Sequence, residues 1–140
     1  MPDKDTMRRA QRDKRQGKAA STQAGEFVHE EMDHIREGKH GARSAKQAIA
    51  IGLSKARRAG VKLAPRPGTR DRAEESKAGR KPSAKRSRAT SAALKKEGTA
   101  AASHTALSRQ AHKSAAKRTA ASRSQAAKKA AATRKRRSGD

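Results

Sequence analysis

Apolar residues recur at helical spacing in only two stretches of the chain. Between Gln23 and Glu37, Val28, Met32 and Ile35 stand at i, i+4 and i+7 with Phe27 and Ala24 beside them, a pattern that predicts one apolar helix face. The other positions carry Glu26, Glu30, Glu31, Asp33 and Glu37, and Gly38 is placed as the C-terminal stop of this acidic element. After the polar loop Lys39 to Arg43, Ser44-Ala45-Lys46-Gln47 reads as a capping box. Its hydroxyl accepts from one of the amides that a helix start leaves unpaired, and its glutamine reaches back to another. The helix so opened runs to about Ala59 with Ala45, Ala48, Ile49, Gly52, Leu53 and Ala56 on one stripe, and Gly60 followed by Val61 suits a Schellman-type end.

Two amphipathic helices joined by a short loop predict an antiparallel hairpin over residues 23–63, with Val28, Met32, Ile35, Ile49, Leu53 and Ala56 as its core. The small residues Ala48, Gly52 and Ala56 permit close approach, and the acidic face is expected near Lys46, Lys55, Arg57 and Arg58. A unit of about 40 residues is marginal on its own, so a homodimer, or packing by Met7 or Leu63, is expected to complete it. Residues 1–20 read as a charged N-terminal helix or arm. Asp5 and Thr6 are placed to cap a helix from Met7 to about Gln16, stopped by Gly17 and frayed, because Met7 and Ala10 are its only apolar candidates.

Beyond the hairpin the pattern is lost. Pro65-Arg66-Pro67-Gly68 ends regular structure, and residues 64–82 form a Pro/Gly/polar linker. Residues 83–140 are a basic tail of Ala, Lys, Arg, Ser and Thr. Alanine favours helix there and dense like charge opposes it, so the tail is expected to be disordered alone and helical when bound to a polyanion. The predicted fold class is therefore mostly α with extensive disorder, a short helical hairpin plus a basic Ala/Lys-rich tail. Ser114–Ser124 and Gln125–Lys135 align as an 11-residue repeat, pairing Ala115 with Ala126, Lys117 with Lys128 and Arg123 with Arg134. So simple a composition also produces such a match by slippage.

Charge points to the partner. The 140 residues carry a net +24, and most of it is downstream: residues 1–75 hold 18 basic and 11 acidic side chains, residues 76–140 hold 19 basic ones against Glu97 and Asp140. A long single-signed segment attracts polyanions, and nucleic acid is the foremost of these, DNA ahead of RNA. Leu, Ile, Val and Phe number only 4, 3, 2 and 1, too few to core the whole length. The absence of cysteine excludes disulfides and thiol chemistry. No apolar run suggests a membrane partner or a signal peptide, which leads to the expectation of a cytoplasmic, nucleoid-associated protein.

The candidate phosphate-binding residues are Lys81, Lys85, Arg86, Arg88, Lys95, Lys96, Lys113, Lys117, Arg118, Arg123, Lys128, Lys129, Arg134, Lys135, Arg136 and Arg137. They would displace condensed counterions, giving affinity that falls with salt and depends little on sequence. No aromatic residue follows Phe27, which argues against base-stacking readers. His29-Glu30-Glu31-Met32-Asp33-His34 lacks the i+4 histidine of a zinc-protease helix, so its histidines read as solvated and no metal or other cofactor is expected. With no phosphate loop and no catalytic constellation, the protein is not expected to be an enzyme. Two alternatives use the same features: an RNA- or ribosome-associated protein, and an interaction module in the hairpin with a solubilising tail.

The run Glu37-Gly38-Lys39 followed by Ser44-Ala45-Lys46-Gln47-Ala48-Ile49-Ala50-Ile51-Gly52-Leu53-Ser54-Lys55-Ala56-Arg57-Arg58-Ala59-Gly60 resembles a family of small basic bacterial proteins filed as a domain of unknown function. The resemblance covers about residues 26 to 63 and implies a bacterial cytosolic protein with a helical hairpin, but no activity. The Ala/Lys-rich tail, with Lys81-Pro82-Ser83-Ala84-Lys85, is similar in composition to linker-histone tails and bacterial histone-like proteins.

Overall fold

A computed structural model describes residues 2–64 and 83–139. Among the described residues the chain is helical and has no strand: α1 (Lys4–Arg15), α2 (Ala20–Arg36), α3 (Ala45–Arg58), α4 (Ala84–Lys96), α5 (His104–Ala116) and α6 (Ala120–Ser138), with a 3-10 turn at Ala100–Ala102. The expected linker, including Lys81, lies outside them apart from Ala64.

Local chemistry accounts for the ends of α1, α2 and α3. The Ser44 hydroxyl accepts from the Gln47 amide at 3.2 Å, and Gln47 Oε1 accepts from the Arg43 amide at 2.7 Å, so the capping box closes in both directions. Gly17, Gly38 and Gly60 have φ of 68°, 76° and 92°, the left-handed region that favours glycine. Beyond each one the chain turns back in a Schellman motif: Lys18 donates to the Asp13 carbonyl, Lys39 to His34 and Val61 to Ala56.

α1 departs from expectation. It begins at Lys4, and Asp3 occupies the cap position without a side-chain cap bond. Thr6, placed as a cap by the sequence, lies inside the helix and is buried. The helix packs on α2 through Thr6, Ala10 and Asp13, an i, i+4, i+7 stripe that escapes hydrophobic periodicity because two of its members are polar. Asp13 is compensated by Lys18 Nζ at 2.6 Å, and Arg9 reaches Glu26 on α2 at 2.5 Å. The Glu26 hydrogen bond also holds the Arg9 guanidinium above its ordinary pKa.

α2 and α3 share the centre. Phe27 and Ala24 pack with Ala10 and Ala56 in one cluster, and Met32 and Ile35 pack with Ala42 and Ala48 in a second. Gly52 faces Val28 so closely that a Cβ there would stand 2.7 Å from the Val28 Cα. The buried seam of α3 is Ala45, Ala48, Gly52 and Ala56, which lets the two backbones approach. Of the six expected core residues Met32, Ile35 and Ala56 are buried, whereas Val28, Ile49 and Leu53 pack from the flanks and stay half-buried. Close approach puts the small side chains on the axis of contact and displaces the large ones to either side. Met7 and Leu63 pack against the first cluster.

The basic half makes specific contacts with the loop after α2 and with the second cluster. Gly41 donates to the Leu94 carbonyl at 2.8 Å, Ala42 to Gly98 at 3.2 Å, and Arg36 Nε to Ala102 at 3.0 Å. Ala101 and Ala102 are buried in the second cluster and Leu107 packs against it. A side chain at position 41 would collide with the Glu97 carbonyl, so the approach requires glycine. The 11-residue repeat is not a structural unit: its first copy spans the end of α5 and the start of α6, and its second lies within α6.

Candidate nucleic-acid interface

α4, α5 and α6 contain no buried residue. Their helicity rests on alanine propensity and on caps: Ser103 Oγ accepts from the Ala106 amide and Thr119 Oγ1 from the Ser122 amide, each at 3.2 Å. The tertiary ties of these three helices are the docked segment around Ala101, Leu107 of α5 against the second cluster, and the Leu94 carbonyl of α4 at Gly41.

Every lysine and arginine from Lys85 to Arg137 is exposed. α4 carries Lys85, Arg86, Arg88, Lys95 and Lys96; α5 carries Lys113; Lys117 and Arg118 occupy the turn that follows; α6 carries Arg123, Lys128, Lys129, Arg134, Lys135, Arg136 and Arg137. Arg109 on α5 belongs to the same set and was missed, because it stands alone among neutral residues. Among the described residues no carboxylate lies within 4.0 Å of any of these cations; Glu97 instead faces Arg43 at 3.7 Å. At about 100° per residue the α6 cations surround the helix instead of forming a stripe. α6 is about 28 Å long at 1.5 Å per residue, a length over which duplex DNA presents roughly 17 phosphate charges. Its lysines supply point charges and its arginines paired donors for phosphate oxygens. Phe27 is buried, so it offers no stacking surface for bases.

A second charged group lies inside the fold. Glu31 is fully buried and Glu30 nearly so. Lys55 Nζ stands 2.6 Å from Glu31 Oε2 and 3.6 Å from Glu30 Oε1, and His40 Nε2 stands 2.8 Å from Glu31 Oε1. Despite these distances, neither Glu31 oxygen nor Glu30 Oε1 receives an aligned hydrogen bond. His34 Nε2 lies 3.4 Å from Asp3 Oδ2 and 3.9 Å from Glu30 Oε1. Of the four cations expected beside the acidic face only Lys55 is there; Arg57 turns to the Ala64 carbonyl. His29 is exposed and pairs with Asp33 at 3.0 Å, as a solvated residue should. His34, expected to be solvated, is only 14% exposed, and His40 only 19%, because the helix turns Glu30 and Glu31 inward and the histidines enclose them. Periodicity reveals which residues share a face, but it does not say that a face with glutamates is the inner one.

Among the described residues no helix is long and apolar enough to cross a membrane. No curated protein and no solved structure matches the chain. Residues 4–67, which contain α1, α2 and α3 with their three glycine-terminated ends, match the family of unknown function DUF6496.

Proposed function

We propose that the protein binds duplex DNA through its phosphates, without reading sequence, as a nucleoid-associated protein. The observation that carries this reading is the exposed cations from Lys85 to Arg137, which no carboxylate among the described residues neutralises. Cations left unpaired in the protein are available to displace counterions from a polyanion. Helices with cations on every side suit a phosphate track approached from any direction, and no exposed aromatic favours unpaired bases.

In this reading the helical hairpin of α2 and α3 is the anchor and the basic segment the binding element. The half-buried Ile49 and Leu53 on α3 are the side chains a second copy would cover, and such a homodimer would let one assembly bridge two duplexes. The test is fluorescence anisotropy with unrelated duplexes of equal length across a salt series. If about eight phosphates are engaged, log K should fall with log[salt] at a slope near −7, roughly four decades between 50 and 200 mM, with little difference between sequences. A shallow slope, or no binding at low salt, would refute the proposal. Recovery of the crosslinked protein on RNA instead of DNA would replace DNA by RNA as the partner.

A further inference from the structure

The polar centre between α2 and α3 is short of positive charge. Asp3, Glu30 and Glu31 bring three carboxylates to it, and Lys55 is the one ammonium that pairs with the two buried ones among the described residues. Asp3 is exposed, so the buried imbalance is that of Glu30 and Glu31 against Lys55, one negative charge. Burial makes such an imbalance costly unless a further cation arrives.

Three observations turn the imbalance into a ligand set. Glu31, fully buried, has no aligned donor on either oxygen. Glu31, His34 and His40 each place one ligating atom within 4.8 Å of the others. His40 Nδ1 lies 3.0 Å from the Gly41 carbonyl, where it can only donate. In the neutral ring, that proton leaves a lone pair on Nε2, which faces Glu31 Oε1 at 2.8 Å, an arrangement of two acceptors that calls for a cation. A histidine whose outer nitrogen is fixed by a backbone carbonyl is oriented as metal-ligating histidines are.

We infer that Glu31, His34 and His40 form a binding site for a divalent transition-metal ion, with zinc the best match to two imidazoles and a carboxylate. The Lys55 ammonium marks the place, with Nζ 2.6 Å from Glu31 Oε2 and 3.5 Å from His34 Nδ1. On metal binding Lys55 shifts to Glu30, already 3.6 Å away, and releases Glu31 to the ion. A second trio, Asp3, Glu30 and His34, shares a histidine with the first, but Asp3 is exposed and its solvation weakens that choice. The site is a staple for a small core whose largest fully buried apolar side chains are Phe27 and Ile35. It also braces the loop that receives the basic half, since His40 precedes Gly41 and Ala42.

The test uses the full-length protein, stripped of metal by a chelator and titrated with Co2+. One equivalent should bind saturably with the intense visible absorption of tetrahedral cobalt, and Zn2+ should displace it. His40→Cys should retain binding and add a thiolate-to-cobalt charge-transfer band that His29→Cys lacks. His40→Ala should weaken binding by about tenfold or more. Lys55→Met should tighten Zn2+ binding by removing the competing ammonium. Absence of saturable uptake by the wild-type protein would overturn the inference. So would binding that survives His40→Ala but is lost when His104 and His112 are changed to alanine, or a Lys55→Met variant that binds Zn2+ no more tightly.

Discussion

Replacing Gly52 by alanine puts a methyl group into the α2–α3 seam, where it would meet Val28 Cα at 2.7 Å, Cγ2 at 3.0 Å and the backbone nitrogen at 3.1 Å. Carbon atoms in contact prefer about 3.5–4.0 Å, so the helices must separate by nearly 1 Å. Two of the three obstacles are backbone, and a rotamer change cannot relieve them. Overpacking of this kind costs about 1–3 kcal/mol. Rigid backbone obstacles place the cost in the upper part of that range, about 2–3 kcal/mol, and helix propensity recovers about 1 kcal/mol, leaving a net loss of roughly 1–2 kcal/mol. For a unit of this size that is a fall in Tm of about 5–10 °C. Gly25 provides the internal control. It lies within α2, is exposed, and has nothing within 4 Å of a built Cβ, so Gly25→Ala should stabilise by about 0.5–1 kcal/mol. Scanning calorimetry reads both, because α4 to α6 bury no face and should contribute little to the cooperative transition. A Gly52→Ala protein as stable as wild type, or two variants that shift in the same direction, would refute the close-packed seam.

Gly41→Ala should undock the segment from Leu94 to Ala102 while α1 to α3 keep their cooperative transition, since the new methyl meets the Glu97 carbonyl. Amide hydrogen exchange at positions 41 and 42 checks this, and protection equal to wild type would contradict it. A peptide of residues 118–138 should have low helix content in dilute buffer and gain it on adding duplex DNA, because α6 buries nothing and its cations repel one another. Circular dichroism reads the change, and a peptide fully helical before DNA is added would show that propensity alone suffices.

Much of the N-terminal fold is written in local signals. The capping box at Ser44, the glycines at 17, 38 and 60, and the two apolar stripes each act within one or two helical turns, and each corresponds to an observed feature. The exposure of the cationic positions is equally legible, because surface charge needs no distant residue to place it: every described member of the expected cation set is exposed. What escaped was any position whose role depends on a distant residue. Thr6 and Asp13 look like surface residues until α2 lies over them, and Ala101 and Ala102 are indistinguishable from the surrounding alanines until the loop at Gly41 receives them.

The same division separates the two charged regions of the molecule. Composition and charge alone determined that the chain is helix-forming, poor in large apolar side chains and densely cationic over its second half, because these properties are sums over residues and survive any arrangement. Tertiary structure decided that Glu30 and Glu31 face inward, that His34 and His40 close around them with Lys55, and that the basic half is tied to the loop after α2. Those outcomes depend on which face of α2 meets the small-residue seam of α3. A face that presents glutamates beside Phe27, Met32 and Ile35 becomes interior only when another helix comes close enough to cover it.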